Sequence, residues 1–458
     1  MPSFSELNVT EPLRRALAAV DYAEMTPVQA ESLPAILAGK DVVAQARTGS
    51  GKTAAYALGL LSVLDAAAIK LQGLVLCPTR ELADQVSREI RRLACFVPNV
   101  KVLTLCGGVP ARIHLTSLAH EPHIAVGTPG RILDLLGKNA LPLKALKMLV
   151  LDEADRMLDM GFAEDIRDII GRAPRQRQTL LFSATMPDAI REFSRQFQCK
   201  PLDVTVASDA DTVLIEQTFF DVESADKPDA LAALLLEHRP ESALVFCNTR
   251  DGVRAVATEL SGRGFPVLAF HGELEQRERE EMLVRFANRS SNVLIATDVA
   301  ARGLDIKELA MVINFDIATD PDTHTHRIGR TGRAGSHGVA LSLCTPRDAA
   351  RATQSDDPQG TPLRWEPLPT PSAATTPLHA PFVTLEVDAG RQDKVRPGDV
   401  LGALTGDAGV PGDAVGKIDV FPTRTYVAVA CKWHETAVQR LRAGKIKGRV
   451  FRIRTISR

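Results

Sequence analysis

A short apolar run, Val42-Val43-Ala44-Gln45, passes directly into Ala46-Arg47-Thr48-Gly49-Ser50-Gly51-Lys52-Thr53. A buried strand that turns through a glycine loop leaves little choice of architecture. Glycines let backbone N–H groups approach oxygens that a Cβ would block, and the lysine adds charge, so the loop cradles phosphate at the end of an α/β sheet. A second apolar run, Met148–Leu151, ends roughly 100 residues later in Asp152-Glu153-Ala154-Asp155. Together the two segments make a nucleoside triphosphatase site. Thr48, Gly49, Ser50, Gly51, Lys52 and Thr53 surround the phosphates of ATP, with Lys52 at the β/γ-phosphates. Thr53 and Asp152 hold Mg²⁺, and Glu153 orients or deprotonates the attacking water. Carboxylates in these positions can also serve only as helix caps, a reading that the upstream phosphate loop weighs against.

Apolar strands alternate with helical stretches from about residue 40 to 345, a pattern that favours parallel sheets with covering helices. The first half predicts strands at 41–46, 74–77, 101–105, 123–127, 148–151 and 178–182. The second half predicts them at 217–222, 243–247, 266–270, 292–296, 311–315 and 338–343. A break near Ala207–Asp211 divides the pattern into two α/β lobes, 1–207 and 208–345, and only the first has a phosphate loop. Residues 346–380 carry seven prolines among Ser, Thr, Asp and Ala, and read as an extended, poorly packed linker in which Trp365 docks locally. Order resumes over 381–458. Val383–Val387, Tyr426–Ala430 and 449–455 alternate as strands, 436–441 reads as helix, and 396–402 begins another. This is a small α+β domain.

The net charge of −1 hides an asymmetry. Residues 381–458 hold 14 Lys/Arg against 8 Asp/Glu, whereas the rest holds 41 against 48. No acid follows Glu435, but eight basic residues do, which gives an end suited to phosphate. Seven scattered cysteines without a CxxC pair point to reduced core thiols, a cytoplasmic setting and no zinc site. No apolar run is long enough to span a membrane, and with no coiled-coil pattern a monomer is expected.

Phosphoryl transfer leaves charge on the γ-oxygens that an arginine from elsewhere often stabilises. Arg330 and Arg333, in the Gly-spaced segment His326–Gly335, are the candidates. They belong to the second lobe, so hydrolysis is expected to require lobe closure.

From Phe4 to Thr345 the chain resembles the DEAD-box RNA helicase family, with some eleven motifs in family order. The resemblance implies two tandem RecA-like lobes and an RNA-dependent ATPase. It makes Ala46 an ordinary first residue of the phosphate loop. Thr26-Pro27-Val28-Gln29 resembles the adenine-reading segment, with Gln29 on the adenine edge and Phe4 or Tyr22 packed nearby. Asp305 resembles the carboxylate that binds the ribose. RNA-backbone contacts carry over onto Arg80, Gly108, Thr128 and Arg131 in the first lobe. In the second they fall on Thr249, Gln276, Arg279 and Thr297. Ser183-Ala184-Thr185 resembles the segment that links hydrolysis to unwinding. Such phosphate and sugar contacts position RNA without reading its sequence. An ATP-gated clamp or a general RNA chaperone is the alternative reading.

Residues 394–407, 416–418 and 444–448 resemble the RRM-like C-terminal domain of the DbpA subfamily. That resemblance implies recognition of a 23S ribosomal RNA hairpin and a role in large-subunit assembly. An RRM usually stacks bases on several sheet aromatics, but 425–430 offers only Tyr426. The expected contacts are therefore basic loops and edges: Lys417, Arg424, Lys445, Lys447 and Arg449. Trp433 reads as a packing residue.

Overall fold

The computed structural model describes residues 2–46, 49–205, 215–301, 309–332, 338–348, 351–352, 363–369, 378–406 and 409–456. The chain divides into two units, the first running to Asp211 and the second beginning at Thr212. In the first, strands β1 (Val42–Gln45), β2 (Gly73–Leu76), β3 (Val102–Leu105), β4 (Ile124–Gly127), β5 (Met148–Asp152), β6 (Gln178–Ser183) and β7 (Leu202–Thr205) form one sheet. Its order is β3-β4-β2-β5-β6-β1-β7, and the pairings are parallel. Both faces of a parallel sheet are covered by helices, so its strands read as continuous apolar runs; β2, β4, β5 and β6 are buried throughout.

The second unit repeats this plan. Strands β8 (Ile215–Asp221), β9 (Ala243–Phe246), β10 (Val267–Phe270), β11 (Val293–Ala296), β12 (Met311–Asn314), β13 (Gly338–Cys344) and β14 (Arg364–Trp365) lie in the order β10-β11-β9-β12-β13-β8-β14. Matched strand for strand, it is the first sheet's order. Local chemistry repeats too. Thr79 and Thr249 each follow a central strand in extended conformation and cap the next helix, Arg80–Leu93 or Arg250–Gly262, by accepting a backbone N–H. Such a cap satisfies an otherwise orphaned donor.

The proline-rich segment departs from the expectation of a poorly packed linker. Arg364 and Trp365 form β14 against β8, in the place that β7 holds in the first sheet. Glu366 N donates to Phe219 O, and the Trp365 ring lies 5.6 Å from that of Phe219. Leu378 is buried in the second unit's core.

The C-terminal domain is an antiparallel sheet of β15 (Phe382–Val387), β16 (Val415–Val420), β17 (Thr425–Ala430) and β18 (Ile453–Thr455), ordered β16-β17-β15-β18. Its inner face presents Leu385, Val387, Val427 and Val429 to Val400 and Leu404 of the helix Pro397–Thr405 and to Ala437, Val438 and Leu441 of the helix His434–Ala443. The strand expected over 449–455 is only Ile453–Thr455. The outer face is covered as well: Thr384, Glu386 and Tyr426 are 0%, 2% and 2% exposed. Asn288 Nδ2 donates to Thr384 Oγ1 at 3.3 Å, Ser290 Oγ lies 2.5 Å from the same oxygen, and Arg277 is 3.9 Å from Glu386. This domain is therefore docked on the lobe that precedes it.

Candidate functional site

The phosphate loop enters the helix Lys52–Val63 through Gly51, whose φ of +91° only glycine adopts freely. A Cβ there would meet Gln29 Nε2 at 2.4 Å. Gln29 is 4% exposed; its Oε1 accepts from Thr26 N and its Nε2 donates to Gly51 O, while Thr26 Oγ1 donates to Ser50 O. The segment expected to read adenine also braces the phosphate loop, with the Gln29 amide bonded to backbone in this structure. Phe4 is buried and stacks on Tyr22 at 5.7 Å. The Tyr22 hydroxyl, pushed up to about 12 first by burial and then by Glu89, donates to the Glu89 carboxylate. Thr48 and Asp305 lie outside the described residues.

Lys52 is 6% exposed, and its Nζ donates to Ala46 O across the loop at 2.8 Å. Asp152 ends β5 and is 3% exposed; burial raises its pKa, and Lys52 opposes that shift. Glu153 is buried and holds a φ of +52°, a backbone state that costs a non-glycine residue and clusters at functional sites. Its N–H donates to Asp152 Oδ1 at 3.0 Å. Tyr56 is a feature that sequence reasoning missed. Its hydroxyl donates to Asp152 Oδ2 at 2.7 Å. The missed signal was spacing, since a residue four positions after Lys52 shares its helix face. Among the described residues no cluster of three or more His, Cys, Asp or Glu could hold a metal. One carboxylate and one hydroxyl beside a phosphate cradle suit Mg²⁺, which keeps several waters and borrows phosphate oxygens.

Asp155 connects this site to the next strand end. Its Oδ2 accepts from Ala184 N, Thr185 N and Thr185 Oγ1, and its N–H donates to Ser183 Oγ. The residues expected on RNA in this unit come together. A Cβ at Gly108 would sit 1.8 Å from Arg80 Nη1, so the guanidinium lies across that glycine. Arg131 donates to Val109 O and bonds His114 Nδ1, which fixes the same turn. Thr128 is the residue at which the helix carrying Arg131 begins, and its backbone carbonyl accepts from Arg131 N and Ile132 N.

In the second unit Thr249, Gln276, Arg279 and Thr297 gather near the C-terminal ends of β9, β10 and β11. Arg279 lies over the Phe270 ring at 4.4 Å, with its nitrogens toward His271 O and Ala300 O. Thr297 Oγ1 accepts from Ala300 N, and Gln276 opens the helix Gln276–Ala287. Arg327, unremarked in the sequence, is 1% exposed and bridges both oxygens of Asp298 at 2.7 Å. It also donates to Asn248 Oδ1, Asn314 Oδ1 and Asp316 O. One buried guanidinium thus ties three strand ends. Arg330 is 8% exposed; Arg333 lies outside the described residues.

On the C-terminal domain, Tyr426 is buried and its ring meets that of Phe421 at 5.5 Å, so the ring is not offered to bases, while Arg424 is partly exposed. Lys445 and Arg449 are exposed beside a tight turn in which Ile446 and Arg449 exchange backbone hydrogen bonds. Lys447, in the same turn, is exposed, takes φ +53° and donates to Lys394 O. Lys417 pairs with Asp419. Trp433 is partly buried against the domain core.

Residues 26–193 match the DEAD/DEAH box helicase family, 226–335 the helicase conserved C-terminal domain and 384–455 the DbpA RNA binding domain. The chain is 53% identical over 457 residues, all of both chains, to the ATP-dependent RNA helicase DbpA of Escherichia coli K12. It is 44% identical to the DEAD-box ATP-dependent RNA helicase CshA of Bacillus cereus, over 77% of this chain and 67% of that one. Its fold is similar to that of S. cerevisiae Dbp5 bound to RNA and ADP BeF3, with a TM-score of 0.70 and 29% identity over 80% of this chain and 96% of the other. The match to DbpA extends through both α/β lobes and the docked C-terminal domain, and the chain belongs to the DEAD-box ATP-dependent RNA helicases of the DbpA type.

Proposed function

We propose that this RNA helicase is directed by its C-terminal domain to a hairpin of 23S ribosomal RNA, and that it remodels RNA locally during large-subunit assembly, as a monomer in the cytoplasm. One observation carries the reading: the basic C-terminal domain is a separate folded module that matches the DbpA RNA binding domain over 384–455. Its sheet face is spent on a protein contact, so recognition falls to exposed edges and turns, with Lys445 and Arg449 foremost.

In this reading Lys52 leaves Ala46 O for the phosphates, and Glu153 orients the attacking water. Mg²⁺, when bound, neutralises developing charge, and Asp152 with Thr53 would hold it. Arg330 and Arg333 of the second unit supply the remaining positive charge, so hydrolysis needs both units. Asp155 reads the outcome into Ala184 and Thr185. Arg80 and Arg131, with Thr249 and Thr297, hold the backbone of one strand.

Steady-state ATPase tests this directly, with no RNA, a random RNA and a 23S fragment carrying the hairpin, for the full chain and for residues 1–380. Stimulation by the fragment far above random RNA, lost on truncation, is the expected result. Equal stimulation by both RNAs would leave the helicase and remove the ribosomal address.

A further inference from the structure

The Asp152 carboxylate has about four lone-pair sites to offer. Two are already taken, one on each oxygen, by the Glu153 N–H and the Tyr56 hydroxyl. Donors at both ends fix the plane of the carboxylate and leave one site on each oxygen for a metal-bound water. Thr53 stands three residues before Tyr56 on the same helix, so the two side chains assigned to the cation, Asp152 and Thr53, meet at the helix face that carries this hydroxyl. Tyr56 is fully buried, and its ring packs against Phe182 of β6 at 5.4 Å. The ring is therefore held by its own helix and by β6, and the hydroxyl by β5. Lys52 and Thr53 begin that same helix. The phosphate cradle and the acidic strand end are joined through this one atom.

We infer that Tyr56 is a positioning residue for the metal: its hydroxyl sets the orientation of Asp152, and so the gain in nucleotide affinity that Mg²⁺ brings. The inference rests on the assignment of Asp152 and Thr53 to Mg²⁺. Groups that orient a metal ligand from behind typically contribute about 10–100-fold in metal affinity or activity. Tyr56→Phe removes one oxygen and keeps the ring in place.

The test is equilibrium binding of a fluorescent ADP to the full chain, with Mg²⁺ and with EDTA, for the parent, Tyr56→Phe and Asp152→Ala. Tyr56→Phe should bind metal-free ADP as the parent does and lose about tenfold of the tightening by Mg²⁺. The Mg²⁺ concentration for half-maximal ATPase should rise by a similar factor, and Mn²⁺ should restore part of it. A merely structural Tyr56 would instead weaken binding equally in EDTA and in Mg²⁺, which overturns the inference. Parent-like Mg²⁺ dependence in Tyr56→Phe, with the dependence lost in Asp152→Ala, overturns it while the metal assignment stands. Mg²⁺ dependence retained in Asp152→Ala overturns that assignment itself.

Discussion

At the scale of the residue, three positions carry separable consequences. Gly51 is needed twice, for its φ of +91° and for the space that Gln29 fills. Gly51→Ala should therefore destabilise the first unit by about 1–2 kcal/mol and abolish ATP binding; thermal unfolding and nucleotide titration check this. Glu153→Gln keeps the size of a buried residue but cannot take a proton. Hydrolysis should fall about a hundredfold or more with ATP affinity retained, as single-turnover kinetics would show. His324 gives a pH dependence. It is 2% exposed, its Nε2 meets Gln217 Oε1, and burial first and then Arg327 lower its pKa to about 4. The folded state thus refuses a proton that the unfolded chain takes near pH 6.5. Stability from this group is full above the unfolded value, is lost as pH falls, and levels off below about pH 4. Between pH 7 and 5 the parent should lose about 2 kcal/mol more than His324→Gln, measured by urea unfolding of the second unit.

At the scale of the element, what was legible followed the apolar runs. The six strands expected in each lobe are present, with ends displaced by a residue or two, because buried parallel strands are continuous in Val, Ile and Leu. Three others escaped. β7 has three of its four residues exposed, β16 interrupts its alternation with Gly416 and Lys417 at a register shift, and β14 is two residues among prolines. Each is at the edge of its sheet, where half the pairing and much of the burial are missing. The same contrast runs through the site. The glycine loop and Asp-Glu-Ala-Asp were legible because their chemistry requires those residue types. Tyr56 and Arg327 were not, since a buried tyrosine resembles core, and an arginine that binds strand ends resembles one that binds phosphate. β14 makes its own prediction. Trp365 packs on Phe219 with 44% of its surface exposed, so Trp365→Ala should cost the second unit about 1–2 kcal/mol, less than a fully buried aromatic. ATP affinity should be unchanged, and urea unfolding with nucleotide titration on one sample tests both halves.

At the scale of the whole molecule, the question is what the docked C-terminal domain adds beyond a tether. A flexible linker by itself raises the local concentration of bound RNA, whereas a rigid contact also sets its direction. The contact here is polar and buried: Asn288 and Ser290 meet Thr384 Oγ1, and Arg277 faces Glu386, which Arg454 also pairs. Polar contacts of this kind give orientation more than adhesion, because a wrong register leaves buried donors unpaired. Asn288 and Ser290 lie away from the basic turn at 445–449, so changing them leaves the proposed RNA-reading residues intact. The double variant Asn288→Ala, Ser290→Ala should bind the isolated hairpin fragment within about twofold of the parent, since tethering and direct contacts are preserved. Stimulation of its ATPase by that fragment should fall about tenfold, since the fragment would no longer be held in one orientation. Fragment binding and stimulated ATPase, measured on the same preparation, separate the two terms. Full stimulation in the undocked variant would make the linker sufficient and reduce the docked face to packing.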